Sequence, residues 1–463
     1  MTDRTERDDD PGPSDGLRPT WSRSGRRLPR KVVQPLQAFL QTETSSAILL
    51  LAATAIALVW ANAPGDSYQR VWGTELTIRV GARALTDDLR GWVSDGLMTL
   101  FFLVVGLEIK RELLTGELRR RRRASLPVIA ALGGMVVPAG VYLAITWGTV
   151  AADGFAIAMP TDIVFVLAVL TLARAAPPGL KALLLTLAIV DDLGSIVIVA
   201  TFYAGGVEVT ALASALAILV IYALLWRIGV RAVVVYVALG IGAWVALDAS
   251  GVSPTIAGVA IAFLTPAVAF QRPRHVSVEA HRVADLTVDE PDPPDADAAQ
   301  WLDLARLSRE TVSPLARAEA LLLPWSSYVV VPLFALANAG VRLSGHAVAE
   351  AASSRLGLGI LASRIVGKPL GIALAVLLAL RLGLGVLPDG VRRGHLAAAG
   401  AAAGIPFTVS LFVAELALPP RLIQPAIVAI MFSAVAAGLF GFLLLRRGAR
   451  RTRGTEPVPP QVS

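Results

Sequence analysis

The sequence predicts an all-α polytopic membrane protein with about twelve transmembrane helices. Of its 463 residues, 55% are hydrophobic and only 17% are charged, whereas soluble domains carry about 25% charged residues. The mean hydropathy is +0.64. Apolar stretches long enough to cross a bilayer recur along the chain, and basic residues gather in every second connection between them. Together these observations indicate an integral membrane protein.

Twelve apolar stretches have the length of roughly 20 residues that a membrane-crossing helix needs. They lie at residues 45–62, 91–109, 126–148, 155–174, 180–203, 209–226, 231–248, 252–269, 322–341, 356–380, 393–414 and 421–445. Arginine and lysine precede the first stretch and follow the second, fourth, sixth, eighth, tenth and twelfth. By the positive-inside rule, this alternation predicts that both termini are cytoplasmic. The same placement accounts for the net charge of +7 without a nucleic-acid partner.

The segments outside these stretches differ in character. Residues 1–32 are acidic and proline-rich and lack the pattern of a signal peptide, so we expect a disordered cytoplasmic tail. Residues 447–463 form a second cytoplasmic tail. Residues 271–315 contain VDEPDPPDADAAQ, which predicts a mobile rather than folded cytoplasmic loop. Residues 74–88, TELTIRVGARALTDD, alternate polar and apolar side chains before a glycine, which predicts a small β-hairpin on the outer face.

Two adjacent aspartates, Asp191 and Asp192, lie in the middle of the fifth stretch, within LAIVDDLGSIVIV. From Ala182 to Tyr203, the Leu, Ile, Val and Phe residues contribute about −5 kcal/mol to insertion, which two central aspartates would roughly cancel. Charged side chains inside a membrane usually face a bundle interior or a water-filled cavity and mark an ion pathway. Adjacent helical residues point about 100° apart, so we expect one acid to pair with a lysine while the other faces a water-filled path. One would bind a transported cation and the other would couple it to protons.

Two further stretches carry polar groups near their centres. In the fourth, AIAMPTDIVFVL, Asp162 follows Pro160 and Thr161. Proline breaks or kinks a helix, and a nearby acid can balance the partial charges of half-helix ends. An ordinary proline kink beside a satisfied polar neighbour is the alternative. Lys368 lies at the centre of the tenth stretch, and we expect it to form a lysine–aspartate pair inside the bundle because the other three lysines (31, 110 and 181) lie at membrane boundaries.

Six sequence segments together resemble the NhaA-type sodium/proton antiporters, and they occur in the same order. They read DGLMTLFFLVVGLEIKRELLTGEL, PTDIVFVLAVL, AIVDDLGSIVIVATFY, PLFALANAGV, GKPLGI and GIPFTVSLFVAEL. The similarity covers about residues 33–446, which would form the antiporter domain, apart from part of the 271–315 loop. It implies inverted repeats with two broken helices that cross at the bilayer midplane. It also implies a multi-pass protein of the plasma (inner) membrane that transports Na⁺, Li⁺ and H⁺.

The resemblance assigns roles to individual residues. It implies that Asp192 is the cation-binding aspartate and that Asp191 is its partner, with Na⁺ held at these two acids. Asp191 would pair with Lys368. Thr161 and Asp162 match the threonine and aspartate of the broken fourth helix.

The resemblance extends to a second broken helix, a regulatory region and a dimer contact. The eleventh stretch, around GIPFTVS, would be the second broken helix, with Gly404 and Pro406 as its breakers. The 74–88 hairpin is similar to the family's dimer contact, which implies a homodimer in a lipid bilayer. The acids that match the family's cytoplasmic pH-response region are Glu108, Glu112 and Glu319.

The chain also departs from the family pattern. Where the family has a histidine linked to pH response, this sequence reads GVSPTIAG with Ser253 in that place. The four histidines, at positions 275, 281, 346 and 395, all lie outside the spanning cores. Arg364 precedes Lys368 by one turn and is not expected from the pattern, and we consider a pair with Asp95 or a bound lipid. The acidic insert in 271–315 has no obvious counterpart.

The sequence therefore predicts an electrogenic, pH-regulated antiporter that exports Na⁺, and Li⁺, in exchange for H⁺ and serves sodium and pH homeostasis. It predicts no cofactor and no enzymatic activity. An intramembrane aspartyl protease also needs two embedded aspartates, but from separate helices, and no second Tyr/Gly-flanked aspartate motif occurs. In a gated channel, a central lysine would obstruct a cation pore. A sodium-coupled symporter of an organic solute on a related fold remains the main alternative.

Overall fold

The computed structural model describes residues 45–80, 83–119, 121–173, 177–203, 206–287, 298–388, 390–391 and 393–453. Within these ranges the protein is an all-α bundle with one two-stranded β-sheet. Eight helices are long and apolar enough to span a bilayer, or up to ten spans if each of two bent helix pairs counts as one. The predicted fold class, an all-α polytopic membrane protein, is therefore confirmed, whereas the count of twelve is not. The predicted tail at 1–32 lies outside the described residues.

The elements of the described ranges are numbered here in chain order. They are α1 (Ser45–Asn62), α2 (Ser67–Trp72), β1 (Glu75–Val80), β2 (Arg83–Asp88), α3 (Leu89–Thr115), α4 (Arg121–Thr146), α5 (Ile163–Ala173), α6 (Pro178–Phe202), α7 (Val209–Arg227), α8 (Val233–Ala249), α9 (Ile256–Leu264), α10 (Pro273–Thr287), α11 (Ala298–Glu310), α12 (Pro314–Asn338), α13 (Gly345–Ser353), α14 (Arg355–Arg381), α15 (Arg393–Ala403), α16 (Thr408–Ala417) and α17 (Pro420–Arg453). Short 3-10 helices cover Val150–Ala158 and Glu117–Arg119. Single π-helical turns interrupt α3, α12 and α14 at Trp92–Leu97, Ser326–Val330 and Ser363–Gly367.

The seventh predicted span, 231–248, closely matches α8, whereas the eighth, 252–269, is much shorter than expected. The helix α8 has 17 residues, and α9 has only 9, which is about 14 Å against a hydrocarbon core of about 30 Å. After α9 the chain is extended at Thr265, and Pro266 lacks the N–H that a continuing helix requires. Lys110 Nζ donates to Phe263 O at 2.6 Å and to Thr265 O at 2.5 Å, so carbonyls freed at the end of α9 are satisfied from α3.

The predicted hairpin at 74–88 is confirmed. Its strands pair antiparallel from Glu75 opposite Asp88 to Val80 opposite Arg83. We call the side of the bundle that carries it the hairpin face. Here Tyr68 is buried, and its hydroxyl donates to Ala337 O at 2.6 Å near the end of α12. Burial raises the pKa of Tyr68 to about 12, so this tether keeps its proton throughout the physiological pH range.

The expectation of a mobile 271–315 loop is wrong for most of that segment. Residues 273–287 and 298–310 form α10 and α11, and the two helices share a small buried apolar cluster of Val276, Val283 and Leu304. Apolar residues recur at helical spacing on both sides of the acidic, proline-rich sequence, and pairing the helices buries them. Most of VDEPDPPDADAAQ, residues 288–297, lies outside the described residues.

Glycines bring α4 and α14 into backbone contact. A Cβ on Gly133 would lie 2.5 Å from Gly371 O and 2.3 Å from Ala375 Cβ, and a Cβ on Gly371 would lie 2.2 Å from Gly133 O. Small residues permit such close approach, which is the usual source of helix association in lipid. The contact holds α14, and with it Lys368, against α4.

Candidate functional site

Two bent helix pairs meet inside the bundle. The 3-10 helix Val150–Ala158 and α5 are bent by 49°, and residues 395–403 of α15 and α16 are bent by 48°. The connecting segments contain Pro160 and Pro406, and they touch through a hydrogen bond from Asp162 N to Ile405 O at 3.1 Å. The predicted break in the fourth stretch is therefore present, as is the break around Gly404 and Pro406 in the eleventh. Non-helical backbone at this depth is tolerated because it is buried against protein.

Asp162 caps both of the half-helices that begin at this crossing. Its Oδ1 accepts from Val164 N at 3.1 Å in α5, and its Oδ2 accepts from Thr408 N at 3.3 Å and Thr408 Oγ1 at 3.0 Å in α16. Helix N-termini carry free N–H groups and a partial positive charge. One carboxylate therefore satisfies and neutralises two helix ends, and Asp162 is only 7% exposed.

Cations occupy the opposite ends, where half-helices terminate in free carbonyls. Lys368 Nζ donates to Met159 O, and the Arg364 guanidinium donates to Ile157 O and Pro160 O. Positive charge at helix C-termini is stabilising. The expectation for Arg364 is therefore wrong, because this side chain is fully buried and binds neither Asp95 nor lipid. It lies on the π-helical turn of α14, one turn from Lys368, and points at the crossing.

The predicted Lys368–Asp191 pair is present and fully buried. Lys368 Nζ lies 2.6 Å from Asp191 Oδ2, and both side chains have 0% exposure. Thr161 Oγ1 donates to the same Asp191 Oδ2 at 2.7 Å and lies 2.9 Å from Ala403 O, so it joins the pair to the end of α15. Asp191 Oδ1 has no hydrogen-bond partner within the described ranges. A buried ion pair of this kind contributes little net stability but is costly to break by removing one partner.

Asp192 is placed differently from its neighbour. It is 6% exposed, and its Oδ1 has no hydrogen-bond partner in the described part of the chain. One turn further along α6, the buried Ser195 Oγ also has none there, and Ser195 lines a narrow cavity with Phe102, Val199 and Thr255 among others. Asp191 and Asp192 thus diverge as the helical geometry predicts: Asp191 is tied into the crossing by Lys368 and Thr161, whereas Asp192 forms no ion pair among the described residues.

The three acids matched to pH response lie away from the crossing, toward the face opposite the hairpin. Glu319 near the start of α12 accepts from Arg111 at 2.8 Å. Glu108 and Glu112 are half-buried on α3, and Glu108 is close enough to Asp192 for the two charges to interact. Ser253, in the place of the family histidine, is buried with its Oγ 2.8 Å from Thr255 Oγ1.

Several polar members of the site carry no distinctive signal in the sequence. Thr408 bonds Asp162, Ser410 Oγ contacts both Arg364 and Ile157 O, and Ser195 borders the cavity beside Asp192. The available signal was a hydroxyl in an otherwise apolar helix, but such hydroxyls commonly bond their own backbone. Only the way the broken helices cross shows which hydroxyls contact the site and which bond their own backbone.

This arrangement defines an ion-transporting, polytopic membrane protein whose two broken helices cross at buried acids and cations. The model of the family described as Na⁺/H⁺ antiporter 1 matches residues 37–445, and the chain belongs to this family. It is 44% identical over 404 residues to Na(+)/H(+) antiporter NhaA 2 of Sorangium cellulosum, covering 86% of each chain. It is 42% identical over 437 residues to Na(+)/H(+) antiporter NhaA 2 of Myxococcus xanthus, covering 92% of each. Over 436 residues it is 42% identical to Na(+)/H(+) antiporter NhaA of Oleidesulfovibrio alaskensis, covering 92% of this chain and 96% of the relative.

Proposed function

We propose that this chain is an electrogenic antiporter that exports Na⁺, and also Li⁺, in exchange for protons. The observation that carries the proposal is the buried Lys368–Asp191 pair beside Asp192, whose Oδ1 has no hydrogen-bond partner among the described residues. Membership of the antiporter family supports the exchange of sodium for protons. Li⁺ follows because it prefers the same hard oxygen ligands.

The transport cycle uses the two adjacent acids in different ways. Without a cation, Asp192 carries a proton because an unpaired buried carboxylate is poorly solvated, while Lys368 and Asp191 form a neutral pair. Na⁺ binds Asp192, releases its proton and competes for Asp191. Lys368 then loses its partner and releases a second proton, becoming a neutral amine. Two positive charges leave for each one that enters, so the exchange moves net charge.

Regulation by pH involves the acids on the face opposite the hairpin. Glu108, near Asp192, and Glu319, paired with Arg111, lie on the two neighbouring helices α3 and α12. Protonation of either acid changes the charge between these helices and so the access of Na⁺ to Asp192. Glu112 extends the same cluster by one turn of α3.

We infer that the hairpin face lies outside the cell. Basic residues cluster at the opposite ends of the spans, as at Arg227 at the end of α7 and Arg446 and Arg447 in α17. By the positive-inside rule both termini are then cytoplasmic, and the protein resides in the inner membrane. Export of Na⁺ toward the hairpin face serves sodium and pH homeostasis.

Reconstituted protein tests this function. Proteoliposomes with an imposed pH gradient are given NaCl, LiCl and KCl in turn at pH 6 to 9, with proton movement followed by a pH-sensitive dye. We expect Na⁺ and Li⁺ to dissipate the gradient without any organic solute. A requirement for an added organic solute would instead identify a symporter and reject the proposal.

The variant Asp192→Asn tests the assignment of the cation site. We expect it to lose Na⁺-driven proton movement at every pH, because the amide keeps the shape but not the charge that holds the cation. Asp285→Asn on the exposed surface of α10 is the matched control and should transport normally. Retained exchange with an unchanged apparent affinity in Asp192→Asn would refute the site.

A further inference from the structure

Three polar side chains from three different helices converge at the hairpin face, away from the crossing. Ser94 Oγ in α3 donates to Glu415 Oε2 in α16 at 3.0 Å, and Asn338 Nδ2 at the end of α12 donates to Ser94 Oγ at 3.0 Å. Ser94 and Asn338 are 8% and 3% exposed, and Glu415 is half-buried. The mechanism above uses none of the three.

One oxygen of this group is left without a partner. Asn338 Oδ1 is buried and accepts no hydrogen bond within the part of the chain that the structure describes. Leaving a buried acceptor unpaired is unfavourable, so such an atom points to a ligand. With the Glu415 carboxylate and the Ser94 hydroxyl, it completes a set of three hard oxygens, the donor type that Na⁺ and other hard cations prefer.

The charge around the group suits a monovalent rather than a divalent cation. Glu415 is the one carboxylate in the hydrogen-bonded group, and the charged side chains that act on it are Arg90, Asp95 and Asp88. The guanidinium of Arg90 offsets part of the acidic charge. Divalent-ion sites of high affinity usually gather more carboxylates than this.

The group lies on the hairpin side of the crossing. On α16, Glu415 is seven residues, or about 10 Å, beyond Thr408 at the crossing. Phe412, one turn inward of Glu415, stacks edge-on against Phe102 with ring centroids 5.3 Å apart. Phe102 in turn lines the cavity that contains Ser195, one turn from Asp192. An aromatic pair thus separates the central acids from the Glu415 group.

We propose that Glu415, Ser94 and Asn338 form a second Na⁺ site at the outer mouth of the transport path. A cation released from Asp192 pauses there before it leaves, and external Na⁺ enters through it when exchange runs in reverse. On binding, the Ser94 hydroxyl turns a lone pair to the ion and the Asn338 amide presents Oδ1. The assignment of a route rests on the proposed antiport function, whereas binding of Na⁺ at the group does not.

Equilibrium binding of radioactive Na⁺ to the purified protein in lipid nanodiscs tests the site directly. The comparison uses wild type, Asp192→Asn, Glu415→Gln and the double variant, each checked for an intact thermal transition. We expect Asp192→Asn to retain Na⁺ binding and the double variant to lose it. Complete loss of binding in Asp192→Asn alone would overturn the proposal, even if wild type transports Na⁺ normally.

Side-specific transport tests the position on the route. In proteoliposomes of known orientation, Glu415→Gln should raise the KM for Na⁺ at the hairpin face roughly tenfold, the equivalent of about 1.4 kcal/mol, and leave the KM at the other face unchanged. Glu350→Gln removes an exposed carboxylate on α13 at the same face and is the matched control. An equal change at both faces, or none, would overturn the outer site. Failure of wild type to exchange Na⁺ for protons would reject the antiport function instead, and the binding experiment would still decide the site.

Discussion

At the scale of single residues, two cations one turn apart on α14 differ in what they bind. Within the described part of the chain, Arg364 donates to neutral groups, two backbone carbonyls and a serine hydroxyl, whereas Lys368 bonds a carboxylate as well as a carbonyl. A guanidinium keeps its charge and fixes several acceptors at once, and an ammonium can lose a proton. The arginine thus suits a permanent structural contact, and the lysine suits a contact that changes during transport.

The variant Lys368→Arg separates the ion pair from the proton that the lysine releases. We expect the arginine to keep an ion pair with Asp191 but to weaken or remove the second proton step, since a guanidinium stays protonated. Exchange would then move less charge per Na⁺. Transport currents of reconstituted protein on a capacitive membrane measure this. Wild-type currents with no net charge per Na⁺ would contradict the pairing mechanism.

Lys368→Ala is the companion variant, because it removes the pair altogether. Asp191 would become an unpaired buried charge, at a cost of roughly 3–5 kcal/mol unless it takes up a proton. We expect a lower melting temperature than wild type and less charge moved per turnover. A variant that matched wild type in both current and melting temperature would show that the pair has no role.

At the scale of secondary structure elements, the close contact of α4 with α14 supports the site. Gly133 and Gly371 let the two backbones touch, and Lys368 lies one turn from Gly371. On the same face of α4, a Cβ on Gly134 would come within 3.5 Å of Lys368 Cε. The position of the lysine therefore depends on helix packing as well as on its partner Asp191.

Gly133→Ala should destabilise the protein by about 1–3 kcal/mol, because the new methyl group meets the backbone of α14 and the helices must separate. Gly140→Ala on the same helix is the control, since its Cβ would have no heavy atom within 4 Å. We expect this control to be neutral or up to about 1 kcal/mol more stable through helix propensity. Thermal unfolding in one detergent compares them, and equal stability of the two variants would disprove the packing argument.

At the scale of the whole molecule, we expect any response to pH to come from groups other than histidine. His275 and His281 lie on α10, outside the membrane spans, whereas His395 lies at the start of a broken span, and Ser253 stands where the family has a histidine. Glu108 on α3 interacts electrostatically with Asp192, and Glu319 on α12 pairs with Arg111 of α3. Activity is therefore expected to rise with pH through carboxylates or Lys368.

Replacing all four histidines by Gln should leave the pH profile of Na⁺-driven exchange unchanged. The profile is measured in proteoliposomes from pH 6 to 9 beside wild type. The four single variants are the controls for any loss of expression or folding. A displacement of the profile by one pH unit in the fourfold variant would assign the response to histidine after all.

We also propose that the hairpin joins two copies of the chain. Leu76 and Ile78 on β1 are exposed by 44% and 43%, although both are apolar, and an exposed strand edge readily pairs with another strand. Leu76→Lys with Ile78→Lys should shift the protein from dimer to monomer in light scattering. Leu113→Lys is the control, because Leu113 is an exposed residue of α3 at the opposite end of the bundle. Unchanged mass of the hairpin variant would reject this interface.

The sequence by itself determined the class of protein and most of the charged groups at the site. Apolar length and composition decide whether a segment enters a membrane, and an acid or a lysine inside such a segment is costly enough to require a partner. Asp162, Asp191, Asp192 and Lys368 were found for that reason. The breaks at Pro160 and Pro406 can be predicted from the sequence too, because proline disrupts the helix in which it lies.

Only the tertiary structure decided which groups meet across helices. No local sequence signal predicts that Arg364 binds the carbonyl oxygens of Ile157 and Pro160, which lie about 200 residues away in the chain. The short helix α9 and the paired helices α10 and α11 likewise depend on neighbours that satisfy their ends or bury their apolar faces. Insertion free energy is a sum over one segment, whereas a contact depends on how two segments cross, and that crossing is a property of the whole bundle.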